Sequence, residues 1–384
     1  MPPYIQRGQI PPKRHTQFRQ PDGTLYAEQL FSTEGFSNDS SLLYHCHAPT
    51  AIVHIDEPVS VKPEMAEEKM LKHRSLEGFN IKPAADYLDS RVPVLVNSDV
   101  HISLAAPRES LKNYFYKNAD ADELIFVHEG GGRLDCQYGS VPFREGDYLL
   151  IPRGTIYQIH FNGPENRLFL AESFSPVRFP DKYLSRYGQL LEHSPYCERD
   201  IHGPGELNTL NEKGDFLIKT KKQGILYGIH YGHHPFDVVG WDGCCYPFTL
   251  SIHDFEPITG RVHQPPPVHQ TFEGRNFVVC SFVPRMFDYH PLSVPVPYNH
   301  SNIDSDELLY YVDGDFMSRK QVSRGMITLH PAGIPHGPHP GMVEKSLGAK
   351  ETKELAVMLD SFHPLMLTRA VLEIENKDYI NSWK

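Results

Sequence analysis

The hydrophobic residues of this chain fall in short runs rather than in long helical stripes. Runs of four or five apolar residues, bounded by Gly, Pro, Asp or Asn, occupy positions 124–127, 148–151, 277–280, 308–312 and 355–359. Runs of this length between turn residues are typical of β-strands. The pattern therefore predicts an all-β fold of barrels or sandwiches. We expect only a few short helices, near 63–76, 180–191 and 369–376.

One block of sequence occurs twice. Residues 118–124 read Asn-Ala-Asp-Ala-Asp-Glu-Leu, and residues 302–308 read Asn-Ile-Asp-Ser-Asp-Glu-Leu. Six residues and a Gly follow the Glu in both copies. A second pattern, Gly-x5-Pro-x-Gly-x-x, ends in Tyr at position 157 and in His at position 336. This internal repeat predicts two copies of one β unit.

Charge and composition narrow the classes of partner. The formal net charge is −11, so no basic excess is available to neutralise the phosphates of a nucleic acid. No apolar run approaches the roughly 18–20 residues of a membrane span, and the N-terminus lacks the apolar stretch of a secretory signal. The six cysteines include no C-x-x-C pair. We expect a cytoplasmic protein with reduced thiols that binds neither nucleic acid nor membrane.

Potential metal ligands concentrate in the second copy of the repeat. His300, Glu307 and His336 offer two imidazoles and one carboxylate. Such a set on one face leaves positions open for substrate; it suits Fe(II), and zinc also accepts it. Asp306 competes with Glu307, because adjacent strand residues point to opposite faces and only one can reach the ion. The spacing to the following Gly favours Glu307.

The first copy carries a different set of side chains at the same positions. It retains Glu123, but Tyr116 and Tyr157 stand where the second copy has His300 and His336. Without imidazoles this copy is expected to hold no metal. A Glu at this position can therefore also serve the structure, for example by accepting hydrogen bonds.

The second copy resembles the two signature motifs of the cupin superfamily. The first motif normally has two His one residue apart and then a Glu, and here Asn302 replaces the second His. The second motif has a His after the Pro-x-Gly turn. The resemblance implies two cupin-like β-barrel or jelly-roll units. We expect a degenerate, metal-less copy in an N-terminal β domain over 1–255, and a metal-binding C-terminal cupin domain over 256–384.

Further stretches resemble the homogentisate 1,2-dioxygenase family. They are Leu25-Tyr-Ala-Glu-Gln-Leu30, Phe236-Asp-Val-Val-Gly-Trp241, Pro297-Tyr-Asn-His300 and Pro335-His-Gly-Pro338. The resemblance implies an Fe(II) enzyme that converts homogentisate and O2 to maleylacetoacetate in tyrosine and phenylalanine breakdown, and a homo-oligomer. It assigns the iron to His300, Glu307 and His336. The interval from His to Glu is one residue longer than expected for the family's animal members, which keeps Asp306 open.

The same resemblance implies further site residues. The catalytic histidine is expected at His269, with His263 as the alternative in the same Pro-rich loop. The expected substrate contacts are Tyr298, Arg319 or Lys320, His330 and His336. His330 could instead donate a hydrogen bond near the metal.

Three other functions remain open at this stage. The chain could be a related dioxygenase for gentisate or another hydroquinone acid. It could be a metal-binding cupin without catalysis, acting as a sensor or in storage. Because the ligand types do not exclude zinc, a zinc-dependent isomerase is also possible.

Overall fold

The structure is a computed structural model that describes residues 2–316 and 322–383. The described residues form 27 strands, which are β1 (Ile5–Gly8), β2 (Ala27–Ser32), β3 (Ser40–His45), β4 (Ile52–Ile55), β5 (Val59–Ser60), β6 (Arg74–Glu77), β7 (Val92–Val96), β8 (Val100–Ala105), β9 (Phe115–Asn118), β10 (Asp122–Glu129), β11 (Gly131–Cys136), β12 (Gly139–Arg144), β13 (Asp147–Ile151), β14 (Ile156–Phe161), β15 (Arg167–Ser173), β16 (Lys213–Lys222), β17 (Ile225–His233), β18 (Val238–Gly243), β19 (Phe248–Ser251), β20 (Gln270–Gly274), β21 (Phe277–Phe282), β22 (Arg285–Met286), β23 (Asp306–Asp313), β24 (Met326–His330), β25 (Glu351–Thr352), β26 (Leu355–Ser361) and β27 (Met366–Leu367).

Helices are short and few in the described part of the chain. The two α-helices are α1 (Met342–Ser346) and α2 (Val371–Ile374). Single 3-10 turns occur at Gly78–Asn80, Asp181–Tyr183, Glu198–Asp200, Ile252–Asp254, Pro266–His269 and Tyr379–Trp383. Within the described ranges, no helix has the length and apolar character needed to cross a membrane. The prediction of an all-β protein is confirmed.

Four larger sheets build the fold. The N-terminal sheets have the strand orders β1-β18-β3-β2, β19-β13-β10-β15-β8-β7-β27 and β12-β11-β14-β9-β16-β17-β4, with β5 also paired to β17. The C-terminal sheet has the order β20-β21-β26-β23-β24-β6, and β22 pairs with β25. Buried hydrophobic residues from the N- and C-terminal sheets join in one large cluster. Of the three expected metal ligands, Glu307 lies on a central strand of the C-terminal sheet.

The internal repeat is visible in the strand register. In β10, Glu123 lies opposite Ile151 of β13 and Glu172 of β15. In β23, Glu307 lies opposite His330 of β24 and Asp360 of β26. In each copy, the strand that carries the Glu therefore pairs with the next strand of the repeat on one side and with the last strand of the repeat on the other. The sequence repeat corresponds to a repeated three-strand core.

Strands cross the expected domain boundary at residue 255 in both directions. β6 comes from the N-terminal part but forms the edge of the C-terminal sheet beside β24. β27 comes from the C-terminal part but pairs with β7 at the edge of an N-terminal sheet. The division into 1–255 and 256–384 stays a prediction, and the two parts share strands.

Two of the three predicted helices are wrong. Within 63–76, Met65 forms a β-bridge with Thr368, and β6 begins at Arg74. Pairing with distant strands outweighs the local helical spacing there. Within 180–191, only the 3-10 turn Asp181–Tyr183 forms. The helix expected near 369–376 is present as α2.

Candidate metal centre

The three expected ligands converge at the start of β23. Glu307 is the second residue of that strand. His300 and His336 form an isolated β-bridge, in which the N–H of each donates to the carbonyl of the other, at 2.8 and 2.9 Å. The Pro-x-Gly turn after β24 brings His336 to this bridge, with Gly333 in the left-handed region at φ +90°. The backbone therefore fixes the separation of the two histidines.

The donor atoms lie close enough to share one ion. His300 Nε2 is 3.4 Å from Glu307 Oε2, and His336 Nε2 is 3.2 Å from Glu307 Oε1. One ligand atom from each residue lies within 4.8 Å of the others. Ligands about 2.0–2.2 Å from zinc or iron lie roughly 3 Å apart. The donor set and its spacing therefore fit a divalent metal.

Hydrogen bonds orient these ligands. His300 Nδ1 lies 3.2 Å from the carbonyl oxygen of Tyr298, which can only accept; this contact would hold the proton on Nδ1 when Nε2 binds a metal. Burial alone would raise the pKa of Glu307. Hydrogen bonds from His300, His330 and His336 outweigh this effect and lower its pKa well below the usual range. The carboxylate is therefore ionised and ready to bind a cation.

Asp306 faces away from the imidazoles. Its Oδ1 accepts the N–H of Ala332 at 2.8 Å, and its Oδ2 accepts the N–H of Leu365 at 2.7 Å. Asp122 makes the equivalent bonds in the first copy, to the N–H groups of Arg153 and Val177, both at 2.9 Å. The Asp of the repeated motif thus ties the strand to two following turns. Of the two acidic candidates, the fold brings Glu307 to the histidines.

The first copy places a guanidinium where the second gathers imidazoles. Tyr116 and Tyr157 pair across strands as His300 and His336 do. The Tyr157 hydroxyl donates to Glu123 Oε2 at 2.6 Å, and Arg91 Nη1 donates to Oε1, also at 2.6 Å. These two donors satisfy the buried carboxylate without a metal.

A second carboxylate accompanies the glutamate in each copy. In the first copy, Arg91 Nη2 lies 2.9 Å from Glu172 and Lys221 Nζ lies 2.6 Å from it. In the second copy the corresponding residue is Asp360. Burial, followed by the charge of Glu307, raises the pKa of Asp360 to about 8. Of the two carboxyl groups in the second copy, Glu307 is therefore the one whose ionised form is favoured.

A cavity of about 130 Å³ opens beside the candidate ligands. For scale, an engineered apolar cavity of about 150 Å³ admits benzene. His300 and Glu307 contribute to its wall, with Leu309, Met358 and Phe282 as apolar lining. The space therefore suits one small aromatic molecule in contact with the metal position.

Both candidate catalytic histidines line this cavity. His269 is 5% exposed, and its ring lies 4.8 Å from that of Phe282. Burial, aided by the charges of Arg285 and His263, lowers the pKa of His269 to about 3. His263 is more exposed, with its Nδ1 4.0 Å from Asp288 Oδ2. The geometry brings both to the cavity and leaves the choice between them open.

The residues expected to contact the substrate do not lie together in the structure. Tyr298 is 57% exposed, and its ring lies 5.1 Å from that of His263. His330 is fully buried behind Glu307, to which its Nδ1 donates at 2.8 Å, and its Nε2 lies 3.3 Å from the Tyr379 hydroxyl. Among these residues only His336 belongs to the metal cluster. Arg319 and Lys320 lie outside the described residues.

Sequence reasoning missed Arg285 in the cavity wall. Its side chain is half-buried, and one nitrogen donates to the carbonyl of Val283 at 3.3 Å. Burial lowers the pKa of the guanidinium, although the charges of Glu354 and Asp288 partly oppose this. A basic residue that follows a strand-like apolar run, as in Phe282-Val-Pro-Arg285, was the signal that could have identified it.

The repeated three-strand cores and the His–Glu–His cluster define an all-β protein of two related units, with a candidate metal centre in the second unit. The sequence model described as "Homogentisate 1,2-dioxygenase N-terminal" matches residues 6–252. The chain belongs to the homogentisate 1,2-dioxygenase family.

Individual relatives match along nearly the whole chain. A protein of Saccharolobus solfataricus named "Putative dioxygenase" is 40% identical over 382 residues, covering 99% of this chain and 98% of that protein. The homogentisate 1,2-dioxygenase of Rhizobium etli is 27% identical over 396 residues, covering 94% of this chain and 86% of that protein. Among solved structures, a cupin 2 conserved barrel domain protein from Leptotrichia buccalis matches with a TM-score of 0.33 at 13% identity, covering 79% of this chain and all of that one.

Proposed function

We propose that this protein is an Fe(II)-dependent dioxygenase that cleaves the ring of homogentisate with O2 to give maleylacetoacetate. The observation that carries the proposal is the His300–Glu307–His336 cluster in the wall of a cavity sized for one aromatic ring. Membership of the homogentisate 1,2-dioxygenase family supports the reaction class. Both atoms of O2 enter the product, so the reaction needs no other oxidant.

The three ligands leave open positions on the cavity side for the substrate. Iron bound there would act as a Lewis acid toward a phenol and as a site for O2. Glu307 contributes the single negative charge of the ligand set, and His330 holds its Oε1 from behind at 2.8 Å. The backbone pair of His300 and His336 keeps the imidazoles in place during turnover.

We assign the substrate carboxylate to Arg285. Its guanidinium is the one Lys or Arg group among the described residues that line the cavity. A guanidinium recognises a carboxylate through two parallel N–H donors. An acidic ligand would also offset the unfavourable burial of this cation. This assignment selects an aromatic acid over an uncharged hydroquinone.

We assign the proton-handling role to His269, with His263 as the alternative. At neutral pH the buried His269 imidazole is uncharged, because its pKa is about 3. A neutral imidazole can accept a hydrogen bond from a substrate hydroxyl and so hold that hydroxyl in place. His263 is closer to solvent and to Asp288, which suits exchange of that proton with water.

The proposal is tested with protein purified without oxygen and reconstituted with Fe(II) or Zn(II). We expect oxygen uptake with homogentisate only in the iron form, with one O2 consumed per substrate. Gentisate, in which the carboxyl is attached directly to the ring, serves as the comparison substrate. If gentisate is turned over faster than homogentisate, gentisate would be assigned as the substrate instead. Iron retention without oxygen uptake on either acid would instead identify a non-catalytic metal-binding cupin.

A further inference from the structure

A second group of metal-binding side chains lies on an N-terminal sheet, away from the candidate iron site. His54 of β4 and His230 of β17 are directly opposite each other in the strand register. Their rings are stacked, with centroids 4.1 Å apart and an interplanar angle of 12°. A cross-strand pair brings two side chains to one side of the sheet. The two imidazoles therefore present nitrogens to the same volume.

Asp56 lies between these two nitrogens. Its Oδ1 is 3.0 Å from His54 Nε2, and its Oδ2 is 3.3 Å from His230 Nε2. The carboxylate sits over Gly228, where an added Cβ would be only 2.3 Å from Oδ2. The absence of a side chain at this position makes room for the acid. Two imidazole nitrogens and one carboxylate thus converge within 4.8 Å.

Asp215 orients one of these imidazoles from the opposite side. Its Oδ1 lies 2.6 Å from His230 Nδ1, so this nitrogen carries the proton. Nε2 is then the nitrogen of this ring that can bind a metal beside Asp56 and His54. A carboxylate that fixes the ring in this way is the usual partner of a metal-binding histidine. An ion pair between His230 and Asp56 alone would not require Asp215 on the other side of the ring.

We propose that His54, Asp56 and His230 bind a zinc ion, with Asp215 as the positioning residue. Imidazole and carboxylate ligands suit zinc, and the exposed side of the cluster leaves its fourth position to water. β4 is a four-residue edge strand whose residues are all exposed, and few buried contacts hold it to the sheet. The ion would fasten β4 to β17 and so stabilise that edge.

The first experiment counts bound metal. Chain stripped with a chelator is dialysed against Zn(II), and the metal is measured by mass spectrometry. We expect two zinc ions per chain in the wild type, since the His–Glu–His centre also accepts zinc. His300→Ala should retain one ion, and the double variant His300→Ala/His230→Ala should retain none. One ion bound equally by both variants would overturn the proposal.

The second experiment separates a built site from loose binding to surface histidines. In the His300→Ala background, Zn(II) should raise the Tm, and His54→Ala or Gly228→Ala should remove this increase. The exposed His193 is the matched control, and His193→Ala should keep the full increase. Asp215→Asn should weaken zinc binding about 10–100-fold. If His193→Ala also abolished the zinc-dependent rise in Tm, the proposed site would be rejected.

Discussion

Arg91 Nη1 lies 2.6 Å from Glu123 Oε1, in the N-terminal position that corresponds to Glu307 and its histidines. The two barrels thus neutralise the same buried glutamate in two ways. One supplies a cation from its own chain, and the other presents imidazoles that can bind one from solution. The retained Glu123 therefore has a structural role, which explains why a copy without imidazoles still carries it.

Removing Arg91 should destabilise the protein strongly. Arg91→Met leaves Glu123 and Glu172 buried without their shared partner, which typically costs about 3–5 kcal/mol. Urea unfolding measures the change, and Arg91→Lys should recover part of it. If the methionine variant were as stable as the wild type, the guanidinium would not be needed to neutralise the pair.

The two acidic residues at the start of β23 should behave differently. Glu307→Gln removes a ligand charge and should lower iron content at least about tenfold, with little loss of secondary structure. Asp306→Asn replaces one acceptor of backbone N–H bonds by a donor and should cost about 1–3 kcal/mol. Asp122→Asn is the matched control in the first copy. Iron analysis beside thermal unfolding separates the two effects, and iron loss confined to Asp306→Asn would reverse the assignment.

Arg285 should act on substrate affinity. Arg285→Met is expected to raise KM for homogentisate about 10–100-fold and to leave the KM of an uncharged hydroquinone nearly unchanged. Iron content should stay at the wild-type level, because this residue does not belong to the His–Glu–His cluster. An equal change for the charged and uncharged substrates would exclude a carboxylate contact.

His269 and His263 should be separable by paired variants. If His269 handles the substrate proton, His269→Ala should retain iron and reduce kcat about 10²–10⁴-fold, whereas His263→Ala should have a smaller effect. Oxygen-uptake kinetics with metal analysis on the same samples provides the measurement. The reverse order of effects would assign the role to His263.

A buried pair that joins the two barrels should make stability depend on pH. His128 Nδ1 lies 2.6 Å from the Tyr310 hydroxyl, and burial lowers the pKa of His128 to about 4. The folded protein keeps this imidazole neutral, whereas the unfolded chain protonates it near pH 6.5. The stability advantage of the wild type over His128→Gln should therefore shrink as pH falls from about 6.5 to 4. Tyr310→Phe should cost about 1–3 kcal/mol at pH 7.

These pH effects are measured by urea unfolding at a series of pH values. A constant difference between wild type and His128→Gln over that range would mean that His128 titrates normally in the folded protein. The ring of Phe169 stacks on that of Tyr310, with centroids 4.9 Å apart. Phe169→Leu is the control, because it disturbs the packing around Tyr310 without removing a titrating group.

Much of the fold was predictable because the signals are local. Runs of apolar residues between turn formers gave the strands, and the Pro-x-Gly spacing predicted where His336 follows its turn. Gly130 and Gly314 occupy the same position in the two copies, and both adopt φ +93°. Glycine adopts such a positive φ without strain, so a turn can be predicted from the residue type alone. The predicted helix over 63–76 failed because its partners, Thr368 and β24, are far away in sequence.

Other parts of the site depend on contacts between distant positions. Arg91 lies just before β7 and meets Glu123 of β10 and Glu172 of β15 only after that sheet has assembled, and no spacing rule connects the three residues. His54 and His230 are 176 positions apart, and their pairing depends on the register of β4 with β17. Arg285 is a candidate substrate-binding residue only because the fold places it in the cavity wall. Composition and motifs do not encode such proximities, because tertiary packing creates them.

The exchange of β6 and β27 between the two sheet systems bears on synthesis of the chain. While the ribosome has delivered only the first half, residues 74–77 have no β24 to join, and β7 shows an open edge. Unpaired strand edges readily pair with other chains. During synthesis the N-terminal half therefore exposes these two strand edges until their partners have been made. β24 at residues 326–330 gives β6 its partner, and β27 at residues 366–367 later covers the edge of β7.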